Sequence, residues 1–210
     1  MARTLETTVY QYVELTPEAQ AKARAWFRRL ESQDFNVEYV LEDADRMAGI
    51  LGIAIDRRTV KLYGGGTRQE PDIAWSGFYS QGDGASFIGT YAYKPGALKA
   101  ITAEAPTDER LHAIAKGLQD VQARHAYRVT AGIGRSSHQS VHEHSVSIDV
   151  EYADGADVEA VQEALRDFMR WIYRQLEQEY EYRLSDDVIA ETIEANEYEF
   201  TVEGGRCVRV

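Results

Sequence analysis

The sequence predicts an α+β fold, a mainly antiparallel sheet with helices packed on one face, and three observations carry that prediction. In the middle of the chain, strand-like runs follow one another across short turns instead of alternating regularly with helices. Amphipathic helical patterns flank those runs on both sides. With 44% hydrophobic and 28% charged residues over 210, the chain has enough apolar surface for one α+β domain over 1–210 or two closely packed halves, with an acidic C-terminal helical subdomain over 154–210 as the natural subdivision.

The elements follow in order. "TTVYQYVEL" alternates, with Val9 and Val13 on the opposite face from Tyr10 and Tyr12, and reads as a strand. Thr16 supplies an N-cap and Pro17 a first helical residue for a helix to about Leu30, with Ala19, Ala23, Trp26, Phe27 and Leu30 on one stripe. Val37, Val40, Leu41, Ala44, Met47 and Leu51 mark a second helix that stops at Gly49 to Gly52. Four strand-like runs come next, "IAIDRRTVKLY", "DIAWSGFYS", "ASFIGTYAY" and "AYRVTAGIG", with "GGGTRQEP" as a flexible linker between the first two. Pro95 opens a short helical piece through Ile101. Pro106 and Thr107 precede a longer helix carrying Leu111, Ile114, Leu118 and Val121. "SVHEHSVSIDVEY" reads as a long strand and Val158 to Tyr182 as the longest helix. Ser185 caps a brief helix, and "EYEFTVEGGRCVRV" reads as a hairpin turning at Gly204-Gly205.

Charge is distributed unevenly. Residues 1–150 hold 19 acidic and 17 basic residues, whereas residues 151–203 hold 16 acidic and 4 basic, so one quarter of the chain carries essentially all of the net −12. Duplex nucleic acid needs a basic footprint and is excluded as the primary ligand. This acidic segment suits a basic partner protein, with Glu159, Glu177 and Glu181 of the long helix as candidate contacts, or serves as an ordinary solubilising surface. No apolar run has the length of a membrane span, the N-terminus lacks a signal-peptide core, and the single cysteine, Cys207, has no partner for an internal disulfide. These features lead to the expectation of a soluble, cytoplasmic protein.

Two stretches are candidates for binding. In "WSGFYSQGDGASFIGTYAY", Asp83-Gly84 is a hairpin signal, and Trp75, Tyr79, Tyr91 and Tyr93 take odd positions with Gly77 and Gly89 between them. If the runs pair across the turn, these rings form one surface for a flat ligand, with Gln81 and Asp83 at its polar tip; they also suit a core beneath helices. In "GIGRSSHQSVHEHSVSIDV", Arg135 suits phosphate or carboxylate, and His138, His142 and His144 share one parity with Val146 and Ile148. In an extended strand Glu143 points the other way, leaving a two-histidine pair, and no cofactor or metal is expected from so small a set. Arg166, Arg170 and Arg174 form a helical stripe that either grips phosphates or pairs with Glu163, Asp167 and Glu177. There is no G-x-S-x-G elbow, no P-loop and no dinucleotide-binding glycine pattern.

"VYQYVELTPEAQAKARAWF", "SGFYSQGDGASFIGTYAYKPGALKAI" and "FMRWIYRQLEQEYEYRLSDDVIAETIEANEYEFT" together resemble tailed-phage and prophage proteins of unknown function, some labelled "antitoxin of toxin-antitoxin stability system". The resemblance implies a viral accessory protein in the bacterial host cytoplasm and brings no assigned catalytic residues. Two functions follow as expectations. One is a non-catalytic, anti-defence binding protein that sequesters a small nucleotide-like ligand or blocks a basic host protein. The other is a metal-dependent phosphoesterase using the histidine cluster.

Overall fold

The computed structural model describes residues 8–135 and 141–207, and the chain divides into two compact units, Val37–Leu176 and Met1–Asn36 with Glu177–Val210. The division therefore pairs the two ends of the chain with each other. It does not fall at residue 154, because the buried stripe of the long helix continues to Leu176 within the larger unit's core.

The smaller unit begins with β1 (Tyr10–Gln11), a strand far shorter than the alternation of 7–15 suggests. The Glu14 carboxylate accepts the Gln11 N–H at 2.7 Å, and the chain turns into a 3-10 segment over Tyr12–Glu14. Thr16 caps α1 (Pro17–Gln33) as expected, its hydroxyl accepting the Ala19 N–H at 3.3 Å. Of the expected stripe, Ala19, Ala23 and Phe27 are buried, Trp26 packs at the core's margin and Leu30 is exposed. The end of α5 (Gly155–Arg183) leads to α6 (Asp186–Ala195), capped by Ser185, and to β10 (Glu199–Phe200), which pairs with β1. Ile189, Ile193 and Phe200 close this core on Tyr12 and Phe27. The expected C-terminal hairpin is seen as a bridge between Phe200 and Arg206 around Gly204 and Gly205.

In the larger unit, α2 (Glu38–Leu51) ends at Gly52, where φ is +87° and an added Cβ would lie 2.2 Å from the Ala92 carbonyl oxygen, so only glycine fits. The core sheet has the order β2 (Ile53–Ile55), β7 (Gly89–Ala92), β8 (Thr130–Arg135), β9 (Val146–Glu151), every pair antiparallel. Its inward residues alternate with exposed ones: Ile53 and Ile55, Tyr91, Ala131 and Ile133, Val146 and Ile148 are buried. They share one core with Met47 of α2, Leu118 of α4 (Glu109–Arg124) and Phe168 of α5, so the helices cover a single face. α3 (Ala97–Glu104) precedes α4.

Two runs fold differently from the periodicity. The glycine-rich segment read as a linker is the turn and second strand of a hairpin, β3 (Arg57–Lys61) with β4 (Thr67–Pro71). The run "ASFIGTYAY" is broken at Ile88: β6 (Ala85–Phe87) pairs with β5 (Ile73–Trp75), whereas β7 joins the four-stranded sheet. Among the described residues no helix is long and apolar enough to cross a membrane.

Candidate functional site

The loop 76–84 between β5 and β6 is built around one carboxylate. Asp83 accepts the backbone N–H groups of Ser80 at 2.6 Å and Tyr79 at 2.9 Å, and the Ser80 N–H is the chief reason its carboxyl is held below the usual range. Asp83, expected to meet a ligand, is thus committed to shaping the loop. Tyr79 and Gln81 remain on its exposed side, Tyr79 with 84% of its surface accessible. Trp75 is half-buried and stacks on Phe78 at 5.6 Å, Phe78 meets Tyr173 of α5 at 5.6 Å, and the Tyr173 hydroxyl donates to the Gly77 carbonyl at 3.0 Å. The loop is tied to α5 by this chain of rings.

Tyr91 does not join that surface. It is 2% exposed, its hydroxyl accepts from Gln122 Nε2 at 3.1 Å, and burial pushes its pKa up. The single aromatic face fails because β6 and β7 belong to different sheets, which separates Tyr91 and Tyr93 from the partners of Trp75; Tyr93 instead packs on Tyr127 at 4.6 Å. Arg135 is also committed, its guanidinium donating to the Asp72 carboxylate and carbonyl at 3.3 Å. His138 lies outside the described residues.

The remaining histidines come together, though not on a strand. Residues Glu143–Ser145 form a 3-10 turn before β9, closed by the Ser145 N–H to the His142 carbonyl at 2.8 Å and capped by His142 Nδ1, which accepts the His144 N–H at 3.2 Å. A 3-10 turn has no strict alternation of faces, so Glu143 is not sent away from its neighbours. Its carboxylate is buried between the two imidazoles, Oε2 3.1 Å from His142 Nδ1 and Oε1 3.8 Å from His144 Nε2. The rings stack at 5.3 Å and 25°, and His144 stays exposed.

From the other side, Arg170 of α5 reaches Glu143 Oε1 at 3.3 Å while binding Asp167 at 2.9 Å and Glu163. Of the Arg stripe, Arg170 makes the intrahelical pair with Asp167 that the spacing suggests, and adds a long-range pair with Glu143 that spacing cannot show. Arg110 of α4 also binds Asp167, at 3.1 Å, so α4, α5 and the turn share one charged network. Gly84 completes the assembly. A Cβ there would lie 3.0 Å from His142 Cδ2 and 3.2 Å from its Cα, so the loop rests directly on the imidazole. The two stretches singled out in the sequence, the aromatic loop and the histidine segment, therefore meet at Gly84 and His142.

Of the acids proposed to face a partner, Glu159 and Glu181 are exposed and Glu177 is half-buried. In the smaller unit an open recess of about 360 Å³ is lined by Gln11, Asn196, Glu197, Glu199, Arg206 and Cys207, which the sequence did not signal.

The model of a domain of unknown function, DUF8835, matches residues 37–186. No curated protein and no solved structure matches the chain. The matched span contains the whole assembly of loop, turn and α5 residues and extends only to the first residue of α6.

Proposed function

We propose, for a chain that belongs to the DUF8835 family of domains of unknown function, a non-catalytic binding role exercised at the turn His142–His144 and the loop that rests on it. The observation that carries this reading is the presentation of flat, polar rings over a fixed base: exposed His144 stacked on His142, with the buried Glu143 carboxylate and Arg170 locking the turn from beneath. Stacked imidazoles, and an exposed tyrosine on the loop that rests on them through Gly84, suit a flat heterocycle, and imidazole N–H groups suit its anionic substituents, which supports a small nucleotide-like ligand. Arg135 and Arg170 are held by carboxylates and Asp83 by backbone amides, an arrangement that favours rigidity over acid-base or nucleophilic turnover. The phage-encoded, anti-defence setting in the bacterial cytoplasm rests on the sequence resemblance alone.

The test is calorimetric titration of the full chain with adenosine triphosphate. Saturable binding, weakened at least about 10-fold by His144→Ala and by Tyr79→Ala, is the expected result. Absence of binding, or binding indifferent to both substitutions, removes the reading.

A second reading is favoured by α6, where Asp187, Glu191 and Glu194 are exposed and make no ion pair among the described residues. That face suits a basic partner protein. On a polylysine surface, neutralising the three acids is expected to slow association at low salt more than Glu159→Gln does. Equal rates would leave α6 as a solubilising face.

A further inference from the structure

The binding reading leaves open what the buried Glu143 carboxylate contributes to a ligand above it. We propose that His142, Glu143 and His144 chelate one divalent transition metal ion of the zinc class, whose open coordination position receives the anionic group of the ligand. The second half of this proposal rests on the binding role above; the first half stands on the turn alone.

The ligand atoms are already close. Nδ1 or Nε2 of each imidazole and a carboxylate oxygen of Glu143 lie within 4.8 Å of one another; Oε2 is 3.1 Å from His142 Nδ1 and Oε1 is 3.8 Å from His144 Nε2. Metal-ligand bonds of about 2.0–2.1 Å in tetrahedral geometry place donor atoms roughly 3.3 Å apart, so small side-chain rotations bring all three into range. Two imidazoles and one carboxylate form a donor set that suits zinc and its neighbours better than calcium or magnesium. The same set was incomplete when read from the sequence as a strand, because alternation sends Glu143 to the opposite face.

The surroundings fit a held carboxylate. Arg170 bonds to Oε1 and so fixes the Glu143 side chain while leaving Oε2 toward His142. Its charge is already balanced by Glu163 and Asp167. Coordination at His142 Nδ1 uses the lone pair that accepts the His144 N–H, so that hydrogen bond is given up when the metal binds. Three protein donors leave a fourth position, and the 63% exposure of the His144 side chain turns that position toward solvent, where a water or a phosphate or carboxylate oxygen is bound.

Calorimetric titration of the full chain with Zn²⁺, alongside visible absorption on adding Co²⁺, tests the site. One equivalent is expected to bind, with d-d bands of a four- or five-coordinate nitrogen and oxygen site. His144→Ala, an exposed position that leaves the fold intact, is expected to weaken binding at least about 10-fold, and Glu143→Gln to do the same wherever it folds. No saturable binding, or binding unchanged in His144→Ala, overturns the metal site. Titrating adenosine triphosphate in the presence of a chelator separates the two ideas. Nucleotide binding that persists without metal leaves the binding role standing and removes the metal's part in it; Zn²⁺ binding in a protein that takes no nucleotide does the reverse.

Discussion

The Glu143 carboxylate lies 3.3 Å from the Arg170 guanidinium, joining the turn before β9 to the middle of α5 across 27 residues of sequence. The pair carries the candidate site, because it fixes the carboxylate between two imidazoles. Its strength is measurable by a double-mutant cycle with Glu143→Gln and Arg170→Met, which conserve volume while removing charge. A coupling of about 1–3 kcal/mol is expected from urea denaturation. Additive effects would show that the turn is held by other contacts.

Gly84→Ala reports on the contact between loop and turn. The added methyl meets His142 ring and backbone atoms at 3.0–3.4 Å, so the imidazole must shift. We expect a loss of about 1–3 kcal/mol with displaced His142 resonances, the usual cost of overpacking. Unchanged His142 signals would contradict direct packing of the loop on the ring.

Phe168 is fully buried, stacked on Trp171 at 5.5 Å and set edge-on to Phe87 at 5.9 Å. Phe168→Ala is expected to cost about 3–5 kcal/mol, since the cavity lies between helix and strands that cannot collapse onto it. Denaturant midpoints measure this directly, and a loss below about 1 kcal/mol would mean that α5 does not form the centre of the core.

Asp157, in the first turn of α5, accepts hydrogen bonds from Arg124 and from His125 at 2.7 Å, and these, Arg124 foremost, depress its carboxyl from 3.8 to about 2. A depressed folded-state value means that the group stabilises the fold above pH 3.8 and loses that contribution as pH falls toward 2. Asp157→Asn should therefore lower the denaturation midpoint at pH 6 and have little effect at pH 2. A difference that is the same at both values would show that the carboxylate's charge plays no part.

Much of the architecture is legible in the sequence because it is local. Thr16 with Pro17, and Ser185, are capping signals whose hydrogen bonds form as expected, and the stripe from Val161 to Leu176 is buried as its spacing requires. What the sequence conceals is the exchange of partners. One pairing ends at Phe87 and another begins at Gly89, so a single alternating run becomes two strands in two sheets and Tyr91 becomes core. The three glycines 64–66 read as a linker because their turn is recognised only once β4 is paired. At the site, the histidine pair is visible in sequence, whereas Glu143 is misassigned by strand parity and Arg170 by its nearer, intrahelical partners.

The most direct measurement is histidine imidazole NMR of the full chain during titration with adenosine triphosphate. His112, which contacts the Ala105 carbonyl at 2.8 Å, and His125, paired with Asp157, serve as internal references remote in sequence from the turn. The account predicts saturable shifts of the His142 and His144 resonances while His112 and His125 stay in place. Saturable binding that leaves His142 and His144 unmoved would place the ligand elsewhere and contradict it.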